Sequence, residues 1–269
     1  MSLPEGESRN STWSYMALAL PAILAGLAIV GLWQLLVMAF KVDSFILPAP
    51  SAIAAALSLK WQEILSASVV TVEAVVLGLV LGSVTGLITA LLVNRFRSVA
   101  VPLVTAAVVL NCAPIVALAP IFNAWFGVTN IMSKAAVAAV MVFFPMFVNV
   151  SRGLTAVAPI QLEFMDTVAA SARQVLLMVR LPNSLPYIFT ALRLGATLAV
   201  IGVIVTEYFG GPRNALGIYI AYQAALPRLA EAWAGIVAAC ILGLVLYGLV
   251  SLVERFVMPW HKAMHAESE

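Results

Sequence analysis

The sequence is short of charge. Of its 269 residues 10% are charged and 63% are hydrophobic, whereas a soluble domain carries about 25% charged residues. That deficit excludes a water-solvated surface over most of the chain and points to a multi-span integral membrane protein. The formal net charge is only +2. With no basic tract and no interleaving of basic and aromatic residues, nothing is left to hold nucleic acid. Cysteine is scarce too. Cys112 and Cys240 both lie inside apolar runs, so they read as small hydrophobes and not as a disulfide or metal pair. The two histidines, His261 and His265, sit four apart in a charged tail; a shared helix face would suit a metal, and a solvated tail accounts for them more simply. Catalytic motifs are missing as well: there is no GxxxxGK[ST] loop, HExxH, CxxC or GxSxG. No histidine falls in an apolar run, so no Ser/His or Cys/His pair is on offer there. These absences argue against an enzyme. A cleavable leader is not expected either, because residues 1–13 are polar and the run after them is too long for a signal peptide.

What the chain does have is length in its apolar runs. About 20 apolar residues cross a bilayer as a helix, and on that rule six spans are expected, at 15–40, 66–93, 99–126, 131–151, 187–209 and 233–255. No ten-residue alternation suggests a membrane barrel. The expected fold is therefore all-α, with six transmembrane helices in one domain over 14–256 between polar tails at 1–13 and 257–269. Orientation follows from lysine and arginine. With the N-terminus inside, the inner segments hold Arg9, Arg95, Arg97, Arg152, Arg173, Arg180, Arg255 and Lys262. The outer segments hold Lys41, Lys60, Arg213 and Arg228. That bias puts both termini in the cytoplasm.

Within the spans, Gly78, Gly82 and Gly86 recur every four residues, a spacing that lets two helices approach closely. The seam is either internal or between two copies. Pro114 and Pro120 break the third span, beside Asn111, Cys112 and Asn123, and Pro145 interrupts the fourth beside Phe144 and Asn149. Such bent helices suit the wall of a path, with Asn111, Cys112, Pro114, Phe144, Asn149, Arg193 and Glu207 as candidate lining. Asn111 serves equally as a helix–helix hydrogen bond. Ionisable residues in the spans are few, namely Glu73, Lys134, Arg193 and Glu207. Each must face protein, water or an interface, and headgroup level is the simple reading for Glu73 and Glu207. Trp33, Trp125 and Trp260 are read as headgroup or helix-contact residues. An ion-gradient-driven transporter or channel is the competing reading, although such proteins favour internal repeats and midplane charges, and both are wanting here.

The polar excursion 155–184 is out of proportion for a simple connection. From Glu163, apolar positions fall at helical spacing, interrupted by Asp166, Ser171 and Arg173, with the small residues Ala169, Ala170 and Ala172 between. Two short helices with a bend fit this pattern. A knuckle of small side chains suits a partner's groove. The Leu-Pro pairs at 181–182 and 185–186 are expected to end the cytoplasmic helix and start the next span.

This segment resembles the motif of permease subunits in bacterial ATP-binding cassette (ABC) importers: EAA, three residues, G, nine residues, I, one residue, LP. Glu163 takes the first position, Ala169 stands for the glycine, Val179 for the isoleucine, and Leu181-Pro182 is the LP. Phe164 and Met165 replace the two alanines. "FILPAPSAI", "APIVALAPIFNAWFG" and "FFPMFVNVSRGL" extend the likeness to the nitrate, sulfonate and taurine branch, which includes importers of pyrimidine thiamine precursors. The resemblance implies a type I ABC importer permease fold, multi-pass in the bacterial inner membrane, and a symmetric pair of chains. It implies two separate ATPase subunits that carry the ATP and magnesium, so this chain binds no cofactor. An extracytoplasmic solute-binding protein would deliver a small polar or anionic solute. It further implies that Glu163, Asp166, Ala169, Ala170, Ser171 and Arg173 form a cytoplasmic coupling helix. Arg173 is otherwise an ordinary positive anchor. Ala169 poses a specific question, because a bend there must form without glycine, or else the helix runs straight through.

Overall fold

The computed structural model describes residues 10–112 and 114–259. Most of the two expected tails lies outside them, with Trp260, His261 and His265. Every regular element among the described residues is helical, as a chain in lipid requires if its backbone groups are to be satisfied within each segment. In order they are α1 (Asn10–Ala39), α2 (Pro50–Leu59), α3 (Trp61–Arg95), α4 (Arg97–Cys112), α5 (Ile115–Phe126), α6 (Ile131–Thr155), α7 (Pro159–Thr167), α8 (Ala172–Val175), α9 (Leu181–Tyr208), α10 (Leu216–Ala225) and α11 (Leu229–Val257). A π-helical turn, Leu176–Arg180, joins α8 to α9.

Among the described residues four helices are long and apolar enough to cross a membrane: α3, α6, the continuous Ala172–Tyr208 and α11. The third expected span, 99–126, is not a single helix. It divides into α4 and α5, with Pro114 as the extended residue that caps α5. Proline has no N–H to bond back into a preceding turn, so the break falls there, while Pro102 and Pro120 are carried inside their helices.

α3, α6 and α9 make the most extensive contacts. Lipid tails are as apolar as leucine, so close packing, more than exclusion from water, drives this association. The glycine stripe of α3 supplies it. A Cβ at Gly82 would stand 2.6 Å from the Ala139 carbonyl oxygen and 2.7 Å from Val142 Cβ, and one at Gly78 would stand 2.5 Å from Ala138 Cβ. The stripe is therefore an internal seam against α6. At the same Ala138, a Cβ at Gly202 of α9 would stand 3.1 Å from its Cα. Small residues on α3 and α9 bring three backbones together there.

α1 stands apart. Leu27 and Leu35 are exposed, and α1 joins the rest through Gln34, which bonds Ser51 of α2, and through Trp33, whose ring lies 5.4 Å from that of Trp233 on α11.

Candidate functional site

The helical core carries polar groups at both ends. At the end where α3 begins and α9 finishes, Glu207 is 1% exposed. Its carboxylate accepts from the Thr71 hydroxyl at 3.0 Å and from the Gly217 N–H at 2.8 Å. Thr71 Oγ1 in turn accepts from the Leu216 N–H at 3.0 Å. Two unpaired amides at the start of α10 are thus satisfied by α9 and α3, and a carboxylate suits the positive end of that helix. Gly217 is required, because a Cβ there would lie 2.5 Å from Glu207 Cβ. Beside this cluster Lys134, 2% exposed, turns back to the Val128 and Asn130 carbonyls of the α5–α6 turn. Asn123 Nδ2 reaches the Thr206 and Gly210 carbonyls at 3.4 Å each. Of the surroundings open to an ionisable residue in a span, Glu207 has protein: its carboxylate ties three helices, α9, α3 and α10. Glu73 is exposed on α3.

At the opposite end, the excursion 155–184 forms an elbow. α7 closes with the Ala170 N–H on the Met165 carbonyl and the Ala169 N–H on the Asp166 carbonyl, both at 3.0 Å, and Ala169 at φ 51°. These two bonds around a left-handed residue are a Schellman closure, a place where glycine is usual. The straight helix through Ala169 is thereby excluded, and alanine accepts the backbone strain. Ser171 then starts α8 with a capping box: its N–H donates to Gln174 Oε1 at 2.8 Å, and its Oγ accepts from the Gln174 N–H at 3.4 Å. Glu163 and Asp166 on α7, Ala169 and Ser171 at the bend, and Arg173 on α8 are exposed, while Ala170 is half-buried. The elbow brings all six together on one short segment.

The Leu-Pro pairs do not end a helix, contrary to expectation. The chain stays helical from Ala172 to Tyr208. Pro182 has no N–H for the Met178 carbonyl, and the turn just before it widens, with the Leu181 N–H reaching Leu176 O. Asn183 Nδ2 then donates to the Gly153 and Ala156 carbonyls at 2.9 and 3.1 Å, fastening α9 to the last turn of α6. Sequence gives no sign of this anchor beyond an amide beside a proline.

The seven candidate path residues are not gathered at one place. Asn111, Cys112 and Pro114 are exposed at the α4–α5 break. Phe144 packs against the buried core of α3, α6 and α9. Asn149 Nδ2 donates at 2.8 Å to the Pro145 carbonyl of its own helix. Arg193 is ion-paired with Glu254 of α11 and donates to Thr190 Oγ1 at 3.2 Å. Glu207 lies about four helical turns further along α9. The Arg193–Glu254 pair joins residues 61 positions apart. Among the described residues no group of three His, Cys, Asp or Glu side chains is placed to hold a metal.

Comparison with known proteins gives this arrangement its context. Residues 78–259 match the family of binding-protein-dependent transport system inner membrane components. The chain is 32% identical over 254 residues, 92% of each chain, to the riboflavin transport system permease protein RibX of Chloroflexus aurantiacus. It is 32% identical over 169 residues to the formylaminopyrimidine transport permease protein ThiX of Halalkalibacterium halodurans, which covers 63% of this chain and 66% of that one. Over 148 residues it is 27% identical to the taurine transport system permease protein TauC of Escherichia coli, covering 55% and 53% of the two chains. The matched region takes in the glycine stripe from Gly78, the whole of α6 and the elbow, and the chain belongs to this family of inner-membrane permease subunits of ABC importers.

Proposed function

We propose that this chain forms half of a translocation path and takes its power strokes through the α7–α8 elbow. The observation that carries this reading is the elbow itself. It is an exposed knuckle of small residues, Ala169 and Ala170, with carboxylates at Glu163 and Asp166 on one side and Arg173 on the other, in the register of the family's motif. On this reading the elbow is the coupling helix, docked on one of two ATPase subunits in the cytoplasm. ATP and magnesium stay on those subunits. Two copies of the chain form a symmetric pair, each with six spans, the divided α4–α5 counting as the third, and with both termini cytoplasmic. A solute-binding protein delivers the substrate on the far side, and lipid surrounds the pair. The substrate class is a small polar or anionic solute of the sulfonate, taurine or pyrimidine kind.

The route of force follows from the helices. α8, the π turn and α9 run as 37 continuous residues, so displacement of the elbow moves α9 as a rod. Asn183 makes the end of α6 follow. At the other end the Glu207 cluster holds α9 to α3 and α10, and there the rod pivots. Such tilting between two states, with ATP favouring one, is rigid-body switching. Asn111 and Cys112, beside the Pro114 break, are the residues this reading places at the path.

Co-purification and ATPase assay test it. The purified chain has no ATPase activity alone and associates with a P-loop ATPase subunit from its own transport operon. Ala170→Arg leaves membrane insertion intact and abolishes the association. An Ala170→Arg permease that transports at the normal rate removes the elbow from the mechanism.

A further inference from the structure

We propose that a cleft between α3, α4, α6 and the α8–α9 joint binds the phosphate group of an anionic phospholipid. The cleft, about 490 Å³ in volume, is lined by Asn94, Arg95, Ser151, Thr155 and Arg180, with Ala90, Val93 and Ala100 as apolar wall. Arg180 Nη1 donates to Asn94 Oδ1 at 2.7 Å. That bond orients the guanidinium across the cleft, leaves its other N–H groups free, and turns the Asn94 amide so that its NH₂ remains a donor. Arg95 lies with its guanidinium carbon 5.2 Å from the centre of the Phe96 ring. Among the described residues the ion pairs are Lys60–Glu63 and Arg193–Glu254, so neither cleft arginine has a carboxylate partner. The nearby acid is Asp166, which lines an adjoining cleft shared with Asn94, Arg95 and Arg180, one negative charge against two positive.

Ser151 Oγ is buried and, among the described residues, without a hydrogen-bond partner, so it stands behind the cleft wall and adds no donor to the cleft. Thr155, by contrast, has its hydroxyl on the Ser151 and Arg152 carbonyls at 3.0 Å. A cleft with two guanidinium groups that lack a carboxylate partner and the amide NH₂ of Asn94 is a donor set, and forked guanidinium groups match phosphate oxygens. Its position at the end of α3, with an apolar wall behind, fits a lipid headgroup whose acyl chains continue along the helices. Basic pockets between spanning helices at the cytoplasmic surface are recognised sites of this kind. Assignment to the inner leaflet rests on the orientation under "Proposed function". Because Arg180 belongs to the π turn between elbow and α9, occupancy of the cleft would set the stiffness of that joint.

The test uses the purified full-length permease in detergent, with lipid retention read by native mass spectrometry and stability by thermal unfolding. Phosphatidylglycerol is expected to stay bound and to raise the Tm, and phosphatidylcholine is not. Arg95→Gln, whose side chain is exposed, and the double variant Arg95→Gln/Arg180→Gln are expected to lose phosphatidylglycerol by about tenfold or more. Arg255→Gln, on α11 and outside the lining of the cleft, retains it. If inorganic phosphate alone gives the same stabilisation, lost in the same variants, the phosphate site stands and its ligand is a soluble anion. Equal retention of phosphatidylcholine, or full retention of phosphatidylglycerol by Arg95→Gln and by the double variant, overturns the proposal. Binding in detergent is independent of sidedness, so its failure leaves the transport reading untouched.

Discussion

Ala169 holds φ at 51°, where an L-residue carries about 1–2 kcal/mol of strain that glycine escapes. Ala169→Gly is therefore expected to raise stability by up to about 1 kcal/mol, part of the gain being offset by the entropy of the unfolded glycine. Ala169→Val is expected to lower stability by more than 1 kcal/mol, since branching at Cβ crowds the same conformation. Thermal unfolding of the two variants in detergent checks both signs. The sequence raised this question through the spacing of its motif, and only the backbone could answer it. Glu207 was legible as an ionisable residue in a span, but its partners were not. Thr71 is 136 positions away, and no local pattern announces a bond of that range. Glu207→Ala strands the Gly217 amide and the Thr71 hydroxyl in the interior, at about 1–3 kcal/mol for each unpaired group. Glu207→Gln keeps an acceptor oxygen and loses less. A Glu207→Ala protein that unfolds at the wild-type temperature would mean that α10 is held elsewhere.

At the scale of helices the small-residue pattern was the clearest signal. A four-residue glycine repeat has one strong physical use, and α3 uses it against α6. Gly82→Val puts its first carbon within 2.6 Å of a carbonyl oxygen and is expected to cost about 1–3 kcal/mol or more through overpacking. Gly26→Ala on α1, where a Cβ meets nothing within 4 Å, is expected to change stability by less than about 0.5 kcal/mol. Unfolding temperatures of this pair separate a packing seam from a general intolerance of glycine replacement. Proline acts in more than one way. Pro114 divides two helices, while Pro102, Pro120, Pro145 and Pro186 sit inside theirs, and Pro182 is absorbed by a widened turn. Whether a proline breaks or bends a helix depends on whether neighbouring groups can take up the freed carbonyl. That is a property of the packed structure.

For the whole molecule, composition pointed to the class, and the spacing of the motif together with likeness in segments such as "FILPAPSAI" and "FFPMFVNVSRGL" pointed to the family, because these features can be read along the chain without knowing what packs against what. The pairing of α9 with α11 through Arg193 and Glu254, and the proposed assembly of two chains with their ATPases, depend on surfaces that a single chain's periodicity does not describe. The central claim is that this chain moves solute only when an ATPase works on its elbow. Reconstitution in liposomes with the partner ATPase subunits and the solute-binding protein, measuring uptake with and without ATP, tests it directly. The account predicts uptake that requires ATP, falls to background when the ATPase is omitted, and is lost in Ala170→Arg. Uptake by this chain alone, driven by an ion gradient and indifferent to ATP, would contradict it.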